Sequence, residues 1–145
     1  MADLSLQPPA EPVCQPGDLA VTVRWDPDGD GGLRGRVIAE NVSGRVCRLP
    51  GKPSVAPLGL DGLPLPVQTV VTLEWVQPGY VVLQPGQRAA AAVHWLSWCG
   101  KPPSEQARVS WGDQSAMAHV EGPVQPECDP GKPDNLSSSW FRVTD

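Results

Sequence analysis

The sequence predicts an all-β fold, and three features support that prediction. The 145 residues contain 18 Pro and 15 Gly spread along the chain, and both residues act against long helices. Short stretches of alternating apolar and polar residues recur between turn-forming dipeptides. The four cysteines are far apart, as in a disulfide framework. We therefore expect a disulfide-stapled, immunoglobulin-like β-sandwich of about eight or nine short antiparallel strands.

The first predicted strand, residues 19–25 (LAVTVRW), has the clearest pattern. Its apolar side chains alternate with Ala, Thr and Arg, which is typical of a half-buried strand. An Asp/Gly-rich turn leads to a second predicted strand, residues 33–42, which ends at the turn signal NVSG. A short extended segment is expected at residues 46–49, because Pro50-Gly51 follows it.

Asp61-Gly62 predicts a hairpin, because this dipeptide suits a two-residue type I′ turn. Its expected arms are residues 55–60 and 63–69. Further strands are predicted at residues 70–76 and, after the Pro78-Gly79 turn, at 80–83.

The segment RAAAAVHWLSW is ambiguous, because its four alanines favour a helix. Pro-Gly precedes it, however, and Val and Trp are typical of strands. We predict a strand in which Ala89, Ala91, Val93 and Trp95 share a face. Residues 107–111 and 116–120 are expected to pair across Gly112-Asp113, and residues 136–143 to form the last strand.

The charge and hydrophobicity of the chain restrict its possible partners and its relation to a membrane. The net charge of −5 and the scattered basic residues argue against a nucleic-acid binder. No stretch is long and apolar enough to cross a bilayer, so we expect no membrane insertion by this segment. No signal peptide opens the chain, which places any anchor upstream of residue 1.

Residues 1–13 are Pro-rich and are expected to be a tether. Residues 14–145 are expected to form one domain.

Cys14, Cys47, Cys99 and Cys128 lack the close spacing of zinc ligands, and none has an evident catalytic base. Two disulfides are the preferred interpretation, with three possible connectivities. We favour Cys14–Cys47 and Cys99–Cys128, which join sequence neighbours. Each would close a loop of about 30 residues and contribute about 3–4 kcal/mol in the chain-entropy model. Disulfides imply an oxidising, extracytoplasmic compartment. The alternative is four buried free thiols in a cytosolic domain.

The stretch ENVSGRVCRLPGKPSV, residues 40–55, resembles an actinobacterial exported domain-of-unknown-function family, the one numbered forty-two thirty-two. Residues 82–89 (VLQPGQRA) and the Trp95-x-x-Trp98-Cys99 motif resemble it too, and the likeness covers about residues 14–143. The resemblance implies a secreted protein or lipoprotein with an immunoglobulin-like sandwich. It implies no catalytic residues. The Pro-rich region of residues 76–80 departs from the family pattern.

Asp26, Asp28 and Asp30 match the first half of an EF-hand calcium loop. The twelfth position of such a loop needs a bidentate carboxylate, but here it is Val37, and strands are expected on both sides instead of helices. The preferred interpretation is a solvated hairpin turn, with weak calcium binding as the alternative. No cofactor is expected.

Six tryptophans stand against one Phe and one Tyr. Trp25, Trp95 and Trp111 fall on the apolar phases of their strands, where core packing is expected. Trp98 lies on the opposite phase from Trp95, next to Cys99, and is placed to pack on a disulfide. Exposed tryptophans could instead stack on sugar rings. The candidates for such stacking are Trp75, Trp98 and Trp140.

His94 and His119 are the only histidines, and no nucleophile-elbow motif accompanies them. We therefore expect a non-catalytic extracytoplasmic binding domain, secreted or anchored through a segment absent from this chain. Its expected partner is a protein or a cell-envelope component. The alternative is a carbohydrate-binding module that uses exposed tryptophans. A pocket joining a histidine to a carboxylate and a hydroxyl would favour an enzyme instead.

Overall fold

The computed structural model describes residues 10–71 and 78–144. Within these ranges the chain contains eleven strands, one short 3₁₀ helix and no α-helix. The 3₁₀ helix spans Pro16–Asp18. The strands are β1 Leu19–Pro27, β2 Leu33–Asn41, β3 Cys47–Pro50, β4 Ser54–Gly59, β5 Thr69–Val71, β6 Tyr80–Leu83, β7 Arg88–Trp95, β8 Pro103–Trp111, β9 Gln114–Glu121, β10 Leu136–Ser138 and β11 Arg142–Thr144.

Nine strands form one sheet in the order β4-β8-β9-β1-β2-β7-β10-β5, with β11 also paired to β7. The remaining two, β3 and β6, form a separate antiparallel ladder. Strand β4, at one edge of the large sheet, contacts β10, which lies near the other edge, so the sheet curls back around a common core. This arrangement confirms the prediction of a disulfide-stapled all-β sandwich.

The structure differs from the prediction in strand number and direction. The last predicted strand is divided into β10 and β11, which pair with different parts of β7. Two pairs, β1 with β9 and β10 with β5, are parallel instead of antiparallel. Parallel neighbours need long crossover connections, which local turn signals do not reveal.

Strand β7 is a strand despite its alanines. Its burial alternates along the chain, and Ala89, Ala91, Val93 and Trp95 all face the core, as predicted. Strand β2 pairs with it on one side, and β10 and β11 pair with it on the other. Hydrogen bonding on both edges therefore overrides the helix propensity of alanine.

The hairpin predicted around Asp61-Gly62 is only partly correct. The turn forms, with Gly62 at a φ of 81° and Gly59 N–H donating to Leu63 O at 2.8 Å. The second arm is wrong: residues 63–68 contribute one bridge, between Leu58 and Pro64. Pro64 and Pro66 have no N–H group with which to continue a ladder. Of the strand predicted at residues 70–76, residues 72–76 lie outside the described ranges.

Both favoured disulfides are present and they lie at opposite ends of the sandwich. Cys14–Cys47 and Cys99–Cys128 have Cα–Cα distances of 4.9 and 4.7 Å. We call the first end the Cys47 pole, which also contains the turns at residues 42–46, 84–87 and 112–113. The other end is the Cys99 pole, formed by the loops at residues 28–32, 60–68, 96–102 and 122–135.

Candidate functional site

An apolar groove at the Cys99 pole is the candidate functional site. Residues 59–66 form one wall, and Trp98 with residues 100–102 forms the other. The groove has a volume of ≈ 630 Å³, which is within the usual range of ligand pockets. Its lining is mostly Leu, Pro and Trp, with Asp61 on one wall and Lys101 on the other.

The first wall presents two leucines to solvent. Leu60 is 76% exposed and Leu63 is 64% exposed. Their position is set by the turn between them, because Leu63 N–H donates to Asp61 Oδ1 at 3.0 Å and Gly59 N–H to Leu63 O at 2.8 Å. Full burial of a leucine side chain contributes about 1.5–3 kcal/mol. The two leucines therefore place exposed apolar surface beside the groove.

The second wall is anchored to the core through Trp98. This side chain is only 4% exposed, and its Nε1 donates to Lys101 O at 2.7 Å. Its ring centroid lies 6.0 Å from that of Trp95, which lies 6.1 Å from that of Trp25. The ring covers Gly100 so closely that a Cβ at residue 100 would collide with it. Trp98 thus closes the base of the groove as part of the core.

Two loops are fastened together behind this wall. The Cys99–Cys128 disulfide joins them covalently. Ser97 Oγ donates to Asp129 O at 3.2 Å and accepts from Asp129 N–H at 2.9 Å, while Trp98 N–H donates to Glu127 O at 3.4 Å. The wall therefore has a defined position before any ligand binds.

Of the three aspartates of the calcium-like motif, Asp26 lies in β1 and the other two lie in the β1–β2 turn, and each has different partners. Asp28 Oδ1 accepts from Arg34 Nε at 2.7 Å, and Asp28 Oδ2 lies 3.1 Å from His94 Nε2. Asp30 Oδ1 accepts from Gly32 N–H at 3.0 Å. Asp26 pairs in register with Arg34 on the neighbouring strand. Across the described ranges, no three His, Cys, Asp or Glu side chains are grouped to hold a metal ion.

Electrostatics in this turn follow from the same contacts. The Gly32 N–H bond is the largest influence on the carboxyl of Asp30 and lowers its pKa, with smaller lowering by Lys132 and His94. Lys132 Nζ also donates to Asp30 O at 2.7 Å, which ties the turn to the loop at residues 122–135. The motif therefore acts as an Asp/Gly-rich turn held by cations and backbone donors.

His94 combines with a carboxylate but not with a hydroxyl. Ser137 lies directly opposite His94 in the β7–β10 register, and both line a shallow pocket of ≈ 220 Å³ together with Arg34. Within the part of the chain that the structure describes, no hydrogen bond joins Ser137 to His94. An activated serine needs such a bond to its base. His119 is exposed on β9, away from this pocket.

The three tryptophans that were predicted from their strand positions to pack in the core do so. Trp25, Trp95 and Trp111 are buried. Of the three candidates for sugar stacking, Trp75 lies outside the described residues and Trp98 belongs to the groove base. Trp140 is half-buried, with Lys52 Nζ 5.3 Å from its ring centroid. The structure therefore does not bring Trp98 and Trp140 together on one exposed platform.

The groove was not predicted from the sequence. Its one local signal was the pair of leucines that flank Asp61-Gly62, a place where polar residues are usual. The opposite wall comes from residues 98–102, so the groove exists only after β4 and β8 have paired Gly59 with Pro103.

The fold and the groove define a class of protein: an all-β domain stapled by two disulfides, with an apolar surface groove at one pole. A family model described as a domain of unknown function (DUF4232) matches residues 14–145, so the chain belongs to that family. This confirms the resemblance read from the sequence. No significant match was found among curated proteins or among solved structures. No helix in the described ranges is long and apolar enough to span a membrane.

Proposed function

We propose that this domain is a non-catalytic, extracytoplasmic binding module that holds an apolar segment of a partner protein in the groove at the Cys99 pole. The observation that carries the proposal is the exposure of Leu60 and Leu63 beside a groove of ≈ 630 Å³. A partner that covers these side chains removes their apolar surface from water, which is the main favourable term in most protein association.

The extracytoplasmic assignment is supported by the two disulfides, because such bonds persist in oxidising compartments. We extend the proposal to a secreted or lipoprotein-like, envelope-associated protein of actinobacterial origin, as the family resemblance implies. The partner is then another exported protein or a protein component of the cell envelope.

The shape of the site favours a protein partner over a sugar. A carbohydrate platform needs the flat face of an aromatic ring open to solvent. Trp98 presents very little of its ring, since it is 4% exposed. Two exposed leucine side chains on a hydrogen-bonded turn suit the irregular apolar surface of a peptide better than the faces of a sugar ring.

The test uses peptides selected for binding to the intact domain from a random displayed library. We expect selected peptides to carry apolar anchors and to lose at least about thirtyfold in affinity for the double variant L60S/L63S, because two buried leucines are replaced. Met117→Ser is the matched control, since Met117 is 50% exposed on β9 and outside the groove. Equal binding by both variants would refute the proposed site. Retention of cell-wall glycans by wild-type protein and their loss in W140A would favour the carbohydrate module instead.

A further inference from the structure

The two disulfides differ sharply in their surroundings. Cys14 and Cys47 are each 0% exposed and belong to the hydrophobic core. Cys99 and Cys128 are both exposed, and they line an open concavity of ≈ 460 Å³ at the Cys99 pole. A dissolved thiol can therefore approach the second disulfide directly, whereas it can reach the first only after the core has opened.

We propose that Cys99–Cys128 is a reversible thiol–disulfide exchange site, and that Cys14–Cys47 is a permanent structural bond. The reagent is a thiolate, from a small-molecule thiol or from a cysteine pair of a partner protein. Exposed disulfides are the labile and regulatory ones in proteins, whereas buried structural ones resist reduction. This assignment does not depend on the function proposed for the groove.

The chemistry of the exchange is balanced as follows. A thiolate attacks Sγ of one cysteine, the bond between the two protein sulfurs breaks, and the displaced cysteine leaves as a thiolate that takes a proton from water. A second thiolate of the reagent then attacks the mixed disulfide and releases the first cysteine. The protein gains two electrons and two protons as a dithiol, and the reagent leaves as its disulfide.

The surrounding structure is built to survive this change. Three hydrogen bonds join the two loops without using either sulfur: two between Ser97 and Asp129, and one from Trp98 N–H to Glu127 O. The loops therefore stay paired when the disulfide opens, and the two thiols remain neighbours. A retained geometry of this kind raises their effective concentration and favours re-oxidation.

The buried disulfide has the opposite environment. Cys14 N–H donates to Arg48 O at 2.8 Å, and Cys14 O accepts from Trp111 Nε1 at 2.8 Å inside the core. Access to its sulfurs requires separation of residues 12–14 from β3. Local opening of packed strands is rare in comparison with the direct approach of a reagent to an exposed bond.

One consequence concerns the groove and rests on the function proposed above. Trp98, Gly100 and Lys101 belong to both the groove wall and the loop that Cys99 fastens. Opening the disulfide removes the covalent restraint on this wall while the leucine wall stays unchanged. Reduction is therefore expected to weaken binding of selected peptides by about tenfold through the added ordering of one loop.

The experiment treats the full chain, without denaturant, with dithiothreitol for increasing times. Free thiols are then alkylated with iodoacetamide and each cysteine is quantified by peptide mass mapping. We expect Cys99 and Cys128 to become alkylated at least about a hundredfold faster than Cys14 and Cys47, because only the buried pair must wait for opening. The near-ultraviolet circular dichroism of the core tryptophans should persist through the fast phase. In a parallel aliquot that is reduced but not alkylated, oxidised glutathione should restore the bond once the dithiothreitol has been removed.

Two results would overturn the assignment: alkylation of all four cysteines at one rate, or reaction of Cys99 and Cys128 only as the near-ultraviolet signal is lost. The double variant C99S/C128S gives an internal check, since its remaining disulfide should show the slow phase alone. Rapid exchange without any change in peptide affinity would refute the coupling to the groove and leave the exchange site standing. If no selected peptide binds the oxidised protein, the function proposed for the groove is refuted, whereas the exchange site is not.

Discussion

Replacement of Asn41 by alanine should be among the most destabilising single changes in this domain. Asn41 ends β2 at the Cys47 pole and is 0% exposed. Its Nδ2 donates to Arg45 O at 2.8 Å and to Leu83 O at 3.0 Å. Its Oδ1 accepts from Ser43 N–H at 3.0 Å and from Ser43 Oγ at 2.7 Å. The Asn41 side-chain amide thus hydrogen-bonds both the turn that precedes Cys47 and the end of β6.

The magnitude follows from the hydrogen bonds and the packing that the variant would lose. The bond to Leu83 O is buried, so its loss, together with the void left by the shorter side chain, costs about 1–3 kcal/mol. The bonds to Ser43 and Arg45 lie nearer to solvent, and their loss costs about 1 kcal/mol in net terms. Together these losses lower the free energy of unfolding by about 3 kcal/mol, a large share of the 5–15 kcal/mol typical of a domain.

Urea denaturation of the oxidised protein, followed by tryptophan fluorescence, measures this change. The matched control is Val42→Ala, because Val42 is 56% exposed next to Asn41 and should change stability by less than about 0.5 kcal/mol. In a double-mutant cycle, S43A should cost less in N41A than in the wild type, because the bond from Ser43 Oγ to Asn41 Oδ1 is already absent from N41A. A loss below about 1 kcal/mol for N41A, or an additive cycle, would refute the reasoning.

Three further predictions concern packing, a buried donor and pH. Gly100→Ala should lower the free energy of unfolding in urea by about 1–3 kcal/mol, because the new Cβ meets the Trp98 ring. Gly44→Ala is the control and should be neutral, because nothing lies within 4 Å of its Cβ position. Equal effects of the two changes would contradict this packing. Trp111→Phe should cost about 1–3 kcal/mol by stranding Cys14 O, and retained stability would show that the Nε1 bond is dispensable. Folding lowers the pKa of the Asp30 carboxyl below 3.8, so the stabilisation by this carboxylate is present above that pH and is lost as the pH falls through the folded pKa. The free energy of unfolding of D30N should therefore fall less steeply than that of the wild type in this acid range. An unchanged acid transition would argue against this.

Much of the fold was accessible from local patterns. The alternation in residues 19–25 and 88–95 identified β1 and β7, since period-two burial needs only the neighbouring residues on the same strand. Sequence proximity also indicated the disulfide pairing, because each bond closes one loop of 33 or 29 residues within the chain. The turn at Asp61-Gly62 formed as predicted, but its second arm did not, because Pro64 and Pro66 have no N–H group to donate to a ladder.

The candidate site was much less accessible. Asp28 and His94 are 66 residues apart in the chain and meet only because β2 lies between β1 and β7. The same separation in sequence hides the groove, whose walls come from either side of the β4–β8 pairing. Nothing in the spacing of the cysteines indicated that one disulfide would be buried and the other exposed.

Local sequence therefore determined the all-β class, most of the strands and the two disulfides, because these depend on backbone preferences and on cysteines that are near one another in the chain. Tertiary structure alone decided which strands became neighbours, which turns met at the Cys99 pole and which sulfurs remained open to solvent. The physical reason is that exposure and cavities are properties of surfaces from distant segments, and those surfaces exist only once the sheet has curled around its core.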